Sequence, residues 1–130
     1  MIAALAVAAC VLLLLAAAFQ VGLACGAPWA AAAYGGRAAL PDGRLRVGYR
    51  VASAITAAVL LAIGGVLLLR GGVPGSAPER AGLAVACWIF AALFAVNTLG
   101  NLAGRHPVER WGMGSSTACL TVLCVLLAIG

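Results

Sequence analysis

The chain has 130 residues, 65 % of them hydrophobic and 8 % charged, with a formal net charge of +5 and a mean hydropathy of +1.16. A soluble domain carries about 25 % charged residues, so an ordinary globular protein is excluded, and the scarcity of charge beside so much apolar material excludes disorder. What remains is an integral membrane protein, predicted to be an all-α bundle of four membrane helices running up, down, up and down in a single transmembrane domain, 1–130.

The first span covers 2–24 and is apolar apart from Gln20, long enough to cross about 30 Å of hydrocarbon. No positive n-region precedes it, so it is expected to stay as a helix rather than to be cleaved as a signal peptide. Val7, Ala8, Ala9 and Cys10 spell a lipobox-like tetrapeptide, but too few residues precede Cys10 to make its hydrophobic region, and lipidation is not expected. The segment 25–48 follows, with Gly26, Ala27, Pro28, Trp29, the alanines at 30–33, then Tyr34, Gly35 and Gly36. It is too apolar for a solvated loop and too broken to prolong the span. This predicts an interfacial or re-entrant segment with Trp29 and Tyr34 at headgroup depth, acting either as an aromatic anchor or as a cap over the bundle.

The second span, 49–69, ends at Arg70 and a breaker-rich run, 71–78, that holds Gly71, Gly72, Pro74, Gly75 and Pro78. The third, 81–101, stops near Gly104 and Pro107, and the fourth, 111–130, is the shortest. Loops this short leave no room for a soluble domain and force neighbouring helices antiparallel. The segments 25–48 and 102–110 therefore share one side. Counting Arg50, that side carries Arg37, Arg44, Arg46, Arg105 and Arg110 as well, against Arg70 and Arg80 opposite. The positive-inside rule then predicts basic loops in the cytoplasm and both termini outside, in a bacterial inner membrane. The eight basic residues are all arginine, beside Asp42, Glu79 and Glu109 as the acids, and arginine without lysine points to a GC-rich bacterial genome. Because they sit in short segments between apolar runs, they read as topology signals and lipid-phosphate contacts, and nucleic acid is not an expected partner.

The polar residues sort by depth. Gln20 lies near the end of span one, Ser53 and Thr56 near the start of span two, Asn97, Thr98 and Asn101 near the end of span three, and Ser115, Ser116 and Thr117 open span four. In an up-down-up-down bundle all of these fall in the half that bears the basic loops. Phe90, Phe94, Asn97 and Asn101 share a stripe at helical spacing; so do Ser53, Ala57 and Gly64, then Ala9, Leu13, Ala16 and Gln20, and Thr117, Thr121 and Cys124. Small residues let helices approach closely and amides can bond across such seams, so one reading is packing with polar glue. The other is a pocket walled by Gln20, Ser53, Asn97 and Asn101 and rimmed by Arg50, Arg105 and Arg110, with Trp29 and Tyr34 above it. Helix N-termini and arginines at such a rim favour an anionic headgroup or the phosphate of an amphiphile. Plain snorkelling of the arginines to lipid phosphates needs no pocket.

Several constellations are missing from the sequence. No Asp, Glu, Lys, Arg or His lies in the middle of a span, as pumps and small multidrug exporters require. The five cysteines, Cys10, Cys25, Cys87, Cys119 and Cys124, include no CxxC pair and read as small packing residues. A single histidine at a membrane edge argues against haem, and neither a cofactor nor a metal site is expected. His106 and Glu109, beside Arg105, are the only acid and base pair; they read either as a solvated, charge-balanced loop or as the centre of a small lipid- or isoprenoid-modifying enzyme.

Two motifs carry a resemblance: Gly26, Ala27, Pro28, Trp29 with Tyr34, Gly35, Gly36, and Asn101, Arg105, Glu109, Arg110, Trp111. In these, and over most of its length, the chain resembles the small four-span membrane proteins of GC-rich actinobacteria. The resemblance implies the architecture and no particular chemistry. The expected role is that of a non-enzymatic four-helix membrane protein. It would bind membrane lipid or another amphiphile through its polar half, or serve as a subunit of a homo-oligomer or larger membrane complex. A transporter or channel subunit would need a continuous polar path, and the apolar outer half of each span opposes one.

Overall fold

The computed structural model describes residues 1–73, 75 and 80–130, Arg80 by its backbone. Pro74, Ser76, Ala77 and Pro78 of the breaker-rich run lie outside the described residues, as does Glu79. The chain is an all-α bundle of four helices: α1 (Ile2–Ala24), α2 (Val47–Arg70), α3 (Arg80–Leu102) and α4 (Gly114–Ile129). A π-helical segment, Val108–Met113, runs directly into α4. With it, the fourth helical stretch spans 22 residues and all four are long and apolar enough to cross a membrane. At 1.5 Å per residue that is about 33 Å, the thickness of a hydrocarbon core. The fourth stretch thus starts at Val108, three residues before its expected limit. Pro107 stands in the flanking position, where its missing N–H costs no hydrogen bond.

The residues turned outward are apolar. Val7, Val11 and Leu15 on α1, Ile55 and Val59 on α2, Ile89, Val96 and Leu99 on α3 and Val122 on α4 are all exposed. A water-soluble monomer does not present an apolar surface of this extent, and hydrocarbon is its natural solvent. The chain is built as a multi-pass membrane protein.

The bundle consists of two hairpins, α1 with α2 and α3 with α4, each packed along its whole length, and the contact between hairpins is thinner. Small residues set the close approach. Ala6, Ala9 and Leu13 face Ile63, Gly64 and Leu67, and a Cβ at Gly64 would already touch Cys10 Sγ and Leu13 at 3.5 and 3.7 Å. One core draws on all four helices in the half away from the long loop, where Ala6, Leu13, Leu67, Cys87, Cys124 and Leu127 are sealed from solvent. Cys87 and Cys124 pack there as small apolar residues, while Cys25 and Cys119 are exposed; all five cysteines are free thiols.

The segment between α1 and α2 has a core of its own. Leu23, Ala30, Ala33, Ala38 and Leu45 are buried together, with Phe19, Tyr34 and Ala39 against them. Two short 3-10 turns, Ala30–Ala32 and Tyr34–Gly36, compact the alanine run. A single antiparallel bridge joins Ala39 to Leu45 around the Asp42 and Gly43 turn, in which Asp42 accepts from the Arg44 N–H at 3.0 Å and Gly43 takes φ +83°. The folded segment covers one end of the bundle as a cap, and its Trp29 is exposed as an anchor's would be, so both expected roles keep their support.

Candidate functional site

At the capped end the two hairpins part around a partly open cavity of about 520 Å³. All four helices contribute to it. Ala16, Phe19 and Gln20 come from α1, Thr56 and Leu60 from α2, Phe94, Asn97, Gly100 and Asn101 from α3, and Ser116, Thr117 and Leu120 from α4. The cap adds Ala32, Ala33, Tyr34, Gly35 and Arg37 as a roof, and Gly104, Glu109 and Met113 close the side below the third loop. Its deeper wall, with Phe94, Leu60 and Leu120, is apolar; the polar groups gather towards the cap.

Glu109 is the least expected wall residue. It is only 6 % exposed, and its Oε1 accepts from the Gly35 N–H of the cap at 2.9 Å. Its Oε2 is buried with no hydrogen-bond partner among the described residues, and the one ion pair found there joins Arg44 to Asp42 instead. Gly104 makes the burial possible: a Cβ at that position would stand 2.6 Å from Glu109 Oε2 and 2.8 Å from its carboxyl carbon. The reading of residues 105–110 as a solvated, charge-balanced loop is therefore corrected for Glu109. The physical reason is helical phase: Glu109, Met113, Ser116, Leu120, Cys124 and Leu127 recur at spacings of three and four, so the inward face of α4 extends back through the π turn to the carboxylate.

Hydroxyls at the start of α4 bond back to carbonyls one turn earlier. Ser116 donates to the Gly112 carbonyl at 2.8 Å and Thr117 to the Met113 carbonyl at 2.9 Å. Asn101 Nδ2 reaches Thr117 Oγ1 at 3.4 Å, a long contact that ties α3 to α4, and Thr98 Oγ1 lies 3.0 Å from the same oxygen. Gln20 Oε1, across the cavity, is buried and has no partner among the described residues.

Of the residues expected from the sequence, Gln20, Asn97, Asn101 and Tyr34 are brought together on the cavity wall. Ser53 is not. It is fully buried behind the cap, 3.0 Å from the Tyr34 hydroxyl, and Tyr34 itself takes a left-handed backbone conformation at φ +52°. Trp29 stacks on Phe19 with centroids 5.8 Å apart and lies off the cavity. Arg50 is drawn away from the rim because its Nε donates to the Ala24 carbonyl at 2.9 Å, satisfying the end of α1. Arg105 and Arg110 also stand off the wall, exposed, with Arg110 over the Trp111 ring at 5.2 Å. The expected basic rim is thus reduced to Arg37, which the sequence reading did not single out. His106 Nδ1 accepts from the Val108 N–H at 3.2 Å, so the acid and base of the enzyme reading have separate partners.

The electrostatic character follows. The charged side chains on the cavity wall are one exposed arginine and one buried carboxylate, and two buried acceptor oxygens lack donors among the described residues. A buried acceptor without a donor is unfavourable by about 1–3 kcal/mol, so the site is complementary to something that donates. Among the described residues no cluster of three His, Cys, Asp or Glu is placed to hold a metal ion. Comparison with protein-family models, curated proteins and solved structures finds no match to this chain.

Proposed function

We propose that this chain is a non-enzymatic multi-pass membrane protein of a bacterial inner membrane that binds a lipid or other amphiphile in the capped cavity between its hairpins. The observation that carries the reading is the cavity itself, with an apolar deep wall from Phe94, Leu60 and Leu120 and a polar end at Gln20, Asn97, Asn101 and Glu109. This graded lining matches a molecule with a chain at one end and a head at the other. The amides of Gln20 and Asn97 face this space, which supports a pocket, while Asn101 and Thr98 reach Thr117 across the α3–α4 seam as polar packing would. The excess of arginine on the capped side supports a cytoplasmic location for that end, with both termini outside.

Native mass spectrometry of the chain, released from its own membranes in a mild detergent, tests this. A lipid or small amphiphile retained at fixed stoichiometry, and lost in the Asn97→Leu, Asn101→Leu double variant, is the expected result. A bare monomer rejects the cavity as a site, and a co-released protein would make this chain a subunit of a membrane complex.

A further inference from the structure

The chemistry of the head that the cavity accepts is written in its unpaired atoms. Glu109 and Arg37 both flank Gly35: the Gly35 N–H binds Glu109 Oε1, and a Cβ on Gly35 would stand 3.9 Å from Arg37 Nε. They form no ion pair with each other, since the ion pair found among the described residues is Arg44 with Asp42. One negative and one positive group therefore face the same space separately. The negative one is nine-tenths buried, has a spare oxygen, and shares the cavity with a second donorless oxygen, Gln20 Oε1.

A carboxylate buried without a cation calls for one, and spare acceptor oxygens call for N–H or O–H donors. A purely anionic head would bring like charge to Glu109. A quaternary ammonium would bring charge but no donor. A primary ammonium supplies both, with three N–H groups, and a phosphate a few bonds away would lie against Arg37. We infer that the cavity is selective for an aminophospholipid, with the ammonium of a phosphoethanolamine head at Glu109, the phosphate at Arg37, and chain carbons along Phe94 and Leu60. This rests on the amphiphile-binding reading above and replaces the anionic head that a rim of Arg50, Arg105 and Arg110 would have selected.

The test uses the whole chain, delipidated in detergent and offered equal amounts of phosphatidylethanolamine, its N-methylated series up to phosphatidylcholine, and phosphatidylglycerol, with bound lipid read by native mass spectrometry. Expected is retention of phosphatidylethanolamine over phosphatidylglycerol by about tenfold, falling stepwise with each methyl added to the nitrogen. In Glu109→Gln that preference should shrink to near parity. The methylation series needs no variant, so it decides the matter even if Glu109→Gln is poorly folded. Preferential retention of phosphatidylglycerol, or indifference to methylation, overturns the inference and leaves lipid binding standing. Retention of none of these lipids rejects the cavity as a lipid site and the inference with it. Glycerophosphoethanolamine, which has the head without chains, is expected to displace nothing at the same concentration; displacement would overturn the assignment to a lipid in favour of a soluble zwitterion.

Discussion

The Gly35 N–H donates to Glu109 Oε1 across 2.9 Å, joining the cap to the π turn that opens the fourth helical stretch, 74 residues further along the chain. Gly35 holds φ +65°, a conformation in which a side chain would be strained, so the donor is presented by backbone that only glycine adopts freely. The cap is thereby pinned to the foot of α4 by a carboxylate.

Glu109→Ala removes that acceptor and leaves the Gly35 N–H bare, a local cost of about 1–3 kcal/mol that loosens the cap, offset in global stability by the loss of the donorless Oε2. Glu109→Gln keeps an acceptor oxygen and should lose far less. Hydrogen exchange at residues 30–36, followed with thermal unfolding in detergent, separates the two. Equal protection of the cap in both variants and in the native chain would show that the bond holds nothing in place.

Arg70 closes the opposite end. Its Nε donates to the Leu127 carbonyl at 2.8 Å and its Nη2 lies 3.4 Å from the Ala128 carbonyl, so the last turn of α4 is satisfied by a cation from α2. Arg70→Leu should destabilise the bundle by about 1.5–3 kcal/mol, the range for hydrogen bonds to a charged group, and Arg70→Lys should recover part of it. Steric-trapping or thermal unfolding measurements check the order native, Lys, Leu; a Leu variant as stable as the native chain would contradict it.

Gly22 lies directly beneath Trp29, so that a Cβ there would overlap the indole ring. Gly22→Ala should lift Trp29 off Phe19 and forfeit about 0.5–1.5 kcal/mol of ring stacking. With Trp88 and Trp111 replaced by Phe, the emission of Trp29 reports this directly. A shift to longer wavelength is expected in the Ala variant, and an unchanged spectrum would mean that the ring does not rest on Gly22.

Cys25 is exposed just past the end of α1, on the capped side. In a variant with Cys10, Cys87, Cys119 and Cys124 changed to Ala, a membrane-impermeant maleimide added to intact cells should leave Cys25 unmodified and should label it once the cells are broken. Labelling from outside would invert the proposed orientation and place the cavity in the outer leaflet.

The helices were legible because a hydrocarbon solvent demands long apolar runs, and the buried stripes Ala9 with Leu13 and Ser53, Ala57 with Gly64 followed from spacings of three and four. Gln20, Asn97 and Asn101 were legible as a group for the same reason, because depth along a helix can be counted. Glu109 was hidden by a boundary: a fourth span begun near Trp111 leaves the carboxylate in a loop, whereas its phase with Met113, Ser116 and Leu120 places it inside. The arginines were illegible for another reason. Arg50 and Arg70 are charges by sequence but serve as donors to Ala24 and Leu127, and a carbonyl 26 or 57 residues away is not a local signal. Arg37 reaches the cavity through the turns of the cap, which no periodicity encodes.

The unequal seam between the hairpins has a mechanical consequence. At one end Leu13, Leu67, Cys87 and Leu127 form a dry joint that Arg70 further clamps; at the other the helices surround a cavity, and among the described residues the cap is hydrogen-bonded to the far hairpin through the Glu109 carboxylate. A few degrees of tilt about the joint would widen the polar end by ångströms while the apolar core stayed packed, and would stretch the hydrogen bond from the Gly35 N–H to Glu109.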